Sequence, residues 1–170
     1  MRFDKFTTKF QQAVSDAQSL AVGNDQQFIE PQHLLLALLN QDDGSTTSLL
    51  ARAGANVGGL KAALAKALDR LPKVEGHGGD VSVGRDLANL LNVTDKLAQQ
   101  RGDKFISSEL VVLAALEDRG TLGKMLKDAG ANKTSLAKAV DDLRGGEKVQ
   151  DPNAEETRGA LDKYTIDLTA

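Results

Sequence analysis

Two histidines, His33 and His77, are the side chains best suited to proton transfer or metal ligation near neutral pH, and neither stands in a ligand spacing such as His-Glu-x-x-His. His33 opens an apolar run after Glu30-Pro31, where a satisfied or half-exposed structural histidine is the expectation. His77 lies among Gly76, Gly78 and Gly79 and reads as a solvated loop residue. That glycine cluster has the composition of a phosphate cradle, but no strand signal leads into it and no helix start follows directly. No Gly-x-x-x-x-Gly-Lys-Ser/Thr run occurs, so a Walker-type nucleotide site is not expected. The pairs Asp42-Asp43 and Asp141-Asp142 fall at turns or helix ends, where solvation accounts for them; acid–base work by paired carboxylates needs a burial that the pattern does not predict. With no cysteine there is no thiolate chemistry and no disulfide framework. The expectation is a chain that is not an enzyme by itself, with no catalytic residue, no metal ligand and no cofactor.

What remains is a repeat. Phe28-Ile29, followed by Leu36, Ala37 and Leu39, returns 77 residues later as Phe105-Ile106, followed by Leu113, Ala114 and Leu116. Ala53-Gly54-Ala55-Asn56 returns 76 residues later as Ala129-Gly130-Ala131-Asn132, so a single deletion separates the copies. Leu20-Ala21 against Leu97-Ala98 extends the match upstream, giving two units of roughly seventy residues. The seam between two such halves is a natural binding groove.

Composition agrees with a helical, water-exposed protein. The 170 residues suffice for one or two small domains, 41% hydrophobic with 26% charged residues is ordinary for a globular chain, and 4% aromatics leaves Leu, Ala and Val to fill the core. A net charge of −3, with Lys and Arg interspersed among Asp and Glu, argues against nucleic acid as a partner. The polar start Met1-Arg2-Phe3-Asp4-Lys5 lacks the apolar stretch of a signal peptide, and no run approaches eighteen apolar residues. A cytoplasmic location without membrane association is expected.

Helical spacing dominates the chain. Phe6, Phe10, Val14, Ala17 and Ala21 draw one stripe, stopped by Gly23-Asn24. Glu30-Pro31 opens a second helix through Asn40, because proline suits the first turn and an acid favours its positive end; Leu34, Leu35, Leu36, Leu38 and Leu39 make it apolar nearly all round and therefore central. A short helix near Thr46 to Ala53 ends at Gly54 in the left-handed region, and Asn56 caps a fourth that Pro72 terminates. The second copy repeats the plan, with stops at Gly102 and Gly130 and starts at Ser107 or Ser108, Thr121, and Asn132 or Thr134. The predicted fold class is all-α, two pseudo-two-fold-related four-helix repeats with eight helices and almost no strand. The predicted organisation is a domain over 1–146 (repeat one about 6–71, a joint at 72–84, repeat two about 85–144), then a linker over 147–170.

In the second copy Leu90, Leu91, Val93, Leu97 and the continuous run Leu110-Val111-Val112-Leu113 offer more apolar positions than one core-facing stripe uses. Packing between the copies and an outward groove for partner peptides both account for them.

These residues carry a resemblance. Lys9-Phe10-Gln11, Ala17 to Ala21, Phe28 to Leu35, Leu71-Pro72 with Gly76 to Asp80, Asp95 to Ala98, Arg101 to Asp103 and Phe105 to Leu110 resemble the double Clp N repeat of ClpB-type AAA+ disaggregases. Leu161-Asp162-Lys163-Tyr164 with Asp167-Leu168-Thr169 looks like that family's lead-in to its first ATPase module. The resemblance implies a substrate-engaging regulatory domain, monomeric alone, carried by a homohexameric parent chaperone that works with an Hsp70-type system, the ATP and magnesium sites lying in modules outside this chain. The implied partner is unfolded or aggregated polypeptide, the alternative an adaptor docked by a protease-associated Clp unfoldase. The implied contact residues are a polar cluster of Thr7, Asp103 and Glu109 beside an apolar groove of Leu91, Val93, Leu97 and Leu110, with Val93 smaller than the leucine expected there. Each polar residue also suits a purely structural role: Thr7 as a helix start, Asp103 as a turn, Glu109 as a first-turn acid.

Overall fold

The computed structural model describes residues 3–74, 81–117, 120–145 and 148–155. Among them run eight α-helices in two sets of four: α1 (Thr8–Gly23), α2 (Pro31–Leu39), α3 (Ser45–Arg52) and α4 (Val57–Arg70), then α5 (Arg85–Arg101), α6 (Ser108–Glu117), α7 (Thr121–Asp128) and α8 (Lys133–Arg144). The fold is all-α. The predicted punctuation operates as local chemistry requires: the side-chain oxygens of Thr7, Asn56 and Asn132 accept from Phe10, Gly59 and Ser135 N–H at 3.2, 3.3 and 3.1 Å, each giving a first-turn donor the partner that the helix cannot supply. His77 and the glycine cluster around it, and the closing motif at 161–169, lie outside the described residues.

The core runs through α2 and α6. Leu34, Leu35 and Leu38 are buried on α2, and every residue from Ser108 to Leu116 is buried on α6. Those two helices pack against α1 and α5 respectively, their counterparts in the repeat. The surplus at Leu110 to Leu113 is therefore internal packing: all four side chains lie in the core, because α6 is covered by α3 of the first repeat as well as by α5, α7 and α8 of its own.

The two repeats exchange their lead-in segments. A short strand β1 (Phe28–Ile29) pairs in parallel with β2 (Ser82–Val83), which leads into α5, and a single bridge pairs Phe6, which leads into α1, with Ile106 of the second repeat. The equivalent bonds are Gly84 N–H to the Ile29 carbonyl at 2.9 Å and Thr7 N–H to the Ile106 carbonyl at 3.0 Å. A second reciprocal pair, Asn56 N–H to Ala129 O at 2.8 Å and Asn132 N–H to Ala53 O at 3.3 Å, joins the ends of α3 and α7. Contacts of i with j and of j with i are the signature of a two-fold relation, here between halves of one chain.

Candidate functional site

The polar residues singled out in the sequence converge, through partners that the sequence reading did not name. Arg144, in the last turn of α8, donates from Nη1 to both carboxylate oxygens of Asp103 at 3.1 and 2.8 Å, from Nε to Glu109 at 3.0 Å and from Nη2 to Ser107 Oγ at 3.0 Å. All three ionic side chains are nearly inaccessible, at 5%, 0% and 3% exposure for Arg144, Asp103 and Glu109. Paired in this way, a guanidinium between two carboxylates leaves one net negative charge among apolar surroundings and fixes the ends of α5, α6 and α8 relative to one another.

Thr7 joins from the other side. Fully buried, it caps α1 and donates its hydroxyl to the Glu155 carboxylate, which also accepts from Ser108 N–H at 3.2 Å. Burial first, and then the neighbouring charge of Glu109, raises the Glu155 pKa above the usual carboxylate range. Residues 148–155, read in the sequence as the start of the linker, thus lie against the second repeat and the start of α1. Val149 N–H donates to Asp103 at 2.9 Å, the Val149 carbonyl accepts from Lys104 and Phe105 N–H at 2.8 and 3.3 Å, and the Pro152 carbonyl accepts from Thr8 N–H at 2.8 Å.

The apolar residues of the expected groove divide. Leu91 and Leu110 are buried at 1% and 0% exposure, while Val93 and Leu97 are half-buried at the margin of the core. The residues missed in the sequence are Arg144, Ser107 and Glu155. A signal for Arg144 was present: the position 76 residues earlier is Leu68, so a cation stands where the first repeat buries a leucine.

At the same place the first repeat builds a neutral network. Gln26, Gln32 and Leu68 occupy the positions of Asp103, Glu109 and Arg144. His33 Nδ1 accepts from Glu30 N–H at 2.9 Å, and its Nε2–H faces Gln26 Oε1 at 2.6 Å. Gln26 in turn donates to the Leu68 carbonyl at 2.5 Å. Burial lowers the His33 pKa to about 4, although the Glu30 backbone contact opposes the shift. His33 is therefore the structural histidine expected.

Beside that network lies an open apolar pocket of about 260 Å³ between β1 and the segment leaving α4, lined by Phe28, Leu71, Pro72 and Val74 with Gln27 and Glu30 at its edge. Among the described residues the large hydrophobic side chains left exposed are Val22, Phe28 and Val74, and two of the three belong to this pocket. Glu30 has its pKa raised, by burial and then by the charge of Asp86. No group of His, Asp or Glu among the described residues could hold a metal ion, and no helix there is long and apolar enough to cross a membrane.

Residues 5–156 match the Clp repeat (R) N-terminal domain. The chain belongs to that family. It is 56% identical over 169 residues to the chaperone protein ClpB of Pseudomonas putida, covering 99% of this chain and 20% of that protein. The Clp N chain thus spans about a fifth of the length of the curated relatives that it matches, and aligns with their N-terminal region. Among solved structures, the Hsp104 N-terminal domain from Candida albicans superposes with a TM-score of 0.77 at 21% identity, covering 88% of this chain and 98% of that one. A ClpV N-domain in complex with a VipB peptide superposes with a TM-score of 0.68 at 22% identity, covering 81% and 86%. These two likenesses show the Clp N fold. The matched family is the N-terminal domain and not an ATPase module.

Proposed function

We propose that this Clp N chain is the substrate-engaging, regulatory N-terminal domain of an ATP-dependent protein disaggregase, and that it weakly binds exposed apolar segments of unfolded or aggregated polypeptides before they are threaded. The observation that carries this reading is the 56% identity to a ClpB chaperone along 99% of the chain. In this reading Val93 and Leu97 supply contact area, while Thr7, Asp103 and Glu109, with Leu91 and Leu110 behind them, hold the wall that presents it. A few half-buried aliphatic side chains gain roughly 25 cal/mol per Å² removed from water, and ordering a disordered chain offsets much of this, so affinities on the order of micromolar or weaker are expected. Weak binding allows release toward a pore, and several tethered copies in a homohexamer would restore overall avidity. ATP, magnesium and contacts with an Hsp70-type system belong to the parent, and the cytoplasm is its compartment.

An NMR titration with a permanently unfolded protein, repeated with the same protein folded, tests the reading. Amide shifts with the unfolded form alone are expected, and their absence at millimolar ligand would refute it. The second reading, docking of a folded adaptor, draws on the peptide complex of the ClpV N-domain, a protein of the same fold. It predicts saturable, salt-sensitive binding to one folded partner.

A further inference from the structure

The two repeats treat the same strand differently. In the second repeat both edges of Phe105-Ile106 are occupied. Ile106 N–H donates to the Lys5 carbonyl at 2.7 Å on one side, and Lys104 and Phe105 N–H donate to the Val149 carbonyl on the other. Val149 itself is 3% exposed, so a segment with a buried aliphatic side chain fills that edge.

In the first repeat, among the described residues, one edge is filled. The Gln27 and Ile29 carbonyls accept from Ser82 and Gly84 N–H at 3.1 and 2.9 Å. The alternation of a parallel ladder then turns the Phe28 N–H to the opposite edge. The segment leaving α4 meets the loop ahead of that edge, with Val74 N–H bonded to the Asp25 carbonyl at 2.8 Å. The Gln27 and Phe28 N–H groups, equivalents of Lys104 and Phe105, have no acceptor among the described residues. The apolar pocket opens directly beside them, and Phe28 is 49% exposed.

We infer that this open edge of β1 docks an extended segment of unfolded polypeptide as an added strand, its carbonyl accepting from Gln27 and Phe28 N–H and an aliphatic side chain entering the pocket over Phe28, Leu71 and Val74. The occupant is specified by the second repeat, which holds such a segment at the equivalent place, and by charge. Glu30 at the pocket edge feels Asp86 and has no cationic partner among the described residues, so a lysine or arginine next to the aliphatic residue is favoured. Main-chain bonds would give sequence-tolerant affinity and the pocket a preference for aliphatic residues. The inference rests on the proposal that the domain binds unfolded polypeptide.

The test is a titration of the ¹⁵N-labelled chain with reduced, carboxymethylated α-lactalbumin, read by amide shifts and by hydrogen exchange. Gln27 and Phe28 amides are expected to move downfield and to exchange at least tenfold more slowly. Phe28→Ser, at an exposed position, is expected to weaken binding at least tenfold, and Val22→Ser, at an exposed position elsewhere, to leave it unchanged. Binding that shifts Val93 and Leu97 but spares Gln27 and Phe28, or that survives Phe28→Ser, overturns this inference and leaves the proposed function standing. No binding at all overturns both.

Discussion

Gly54 and Gly130 meet backbone to backbone at the contact between the two repeats. Both have positive φ, +91° and +99°, and a Cβ built on either would approach the other's carbonyl oxygen, at 3.3 Å from position 54 and 2.9 Å from position 130. Each ends its helix in a conformation that side chains disfavour, and each leaves room for the reciprocal Asn56 and Asn132 bonds. Alanine at either position is expected to destabilise by about 1–3 kcal/mol, and Gly130→Ala more than Gly54→Ala because its Cβ comes closer to the facing carbonyl, at 2.9 against 3.3 Å. Urea unfolding of the two variants checks the order; equal stability of Gly130→Ala and the parent chain would remove this contact from the account.

Arg144 offers a test in which one repeat repairs the other. Arg144→Leu removes the guanidinium that the buried Asp103 and Glu109 carboxylates share, and a loss of about 3–5 kcal/mol is expected. Adding Asp103→Gln and Glu109→Gln reproduces the Gln26, Gln32 and Leu68 arrangement of the first repeat, and most of the loss is expected to return. Non-additivity in the thermodynamic cycle of these variants is the measurement. Independent, additive losses would mean that the three side chains do not act as a unit.

How far the sequence discloses this architecture depends on the range of the interaction. Pro31, Gly54 and Asn56 act within a turn of their own position, so the starts and stops of the helices are readable directly, and the 76- and 77-residue offsets carry the repeat. The strands are invisible because two residues cannot display an alternation, and Phe28 and Ile29 pair with a segment more than fifty residues away. Periodicity assigns Leu110 to Leu113 an excess of apolar character but does not say that α3 of the other repeat covers it. Thr7, Asp103 and Glu109 are named together through the family resemblance, yet that grouping conceals that Arg144 and Glu155 hold them from within, since neither stands near its partners in sequence.

His33 should make stability depend on pH in the mildly acidic range. Its pKa is about 4 in the fold against 6.5 when unfolded, so between these values the unfolded chain binds the extra proton. The His33 contribution is therefore complete above pH 6.5 and is lost progressively as pH falls toward 4, by on the order of 3 kcal/mol. Leu110 stands at the equivalent position of the second repeat, and His33→Leu is expected to abolish this slope while costing some stability at pH 7 through the lost cap to Glu30. Denaturant unfolding at pH 5 and pH 7 measures it; an unchanged difference in His33→Leu would place the acid sensitivity elsewhere.

Glu155 should act with the opposite sign. Its carboxyl pKa is raised in the fold by burial and by Glu109, so the folded chain holds a proton that the unfolded chain releases above about pH 4.5. The stabilisation is present below that pH and disappears as pH rises through the folded value, which loosens the ties of residues 148–155 to Thr7 and Ser108 as the carboxyl ionises. Glu155→Gln keeps an acceptor for both donors without the charge, and is expected to be more stable than the parent chain at pH 8 and equal to it near pH 4. Amide exchange at Ser108 and Val149 in the two proteins gives a local readout of the same ties. Faster exchange at Ser108 in Glu155→Gln at pH 8 would show that the ionised carboxylate is the better partner, and that the repulsion from Glu109 is already balanced by Arg144.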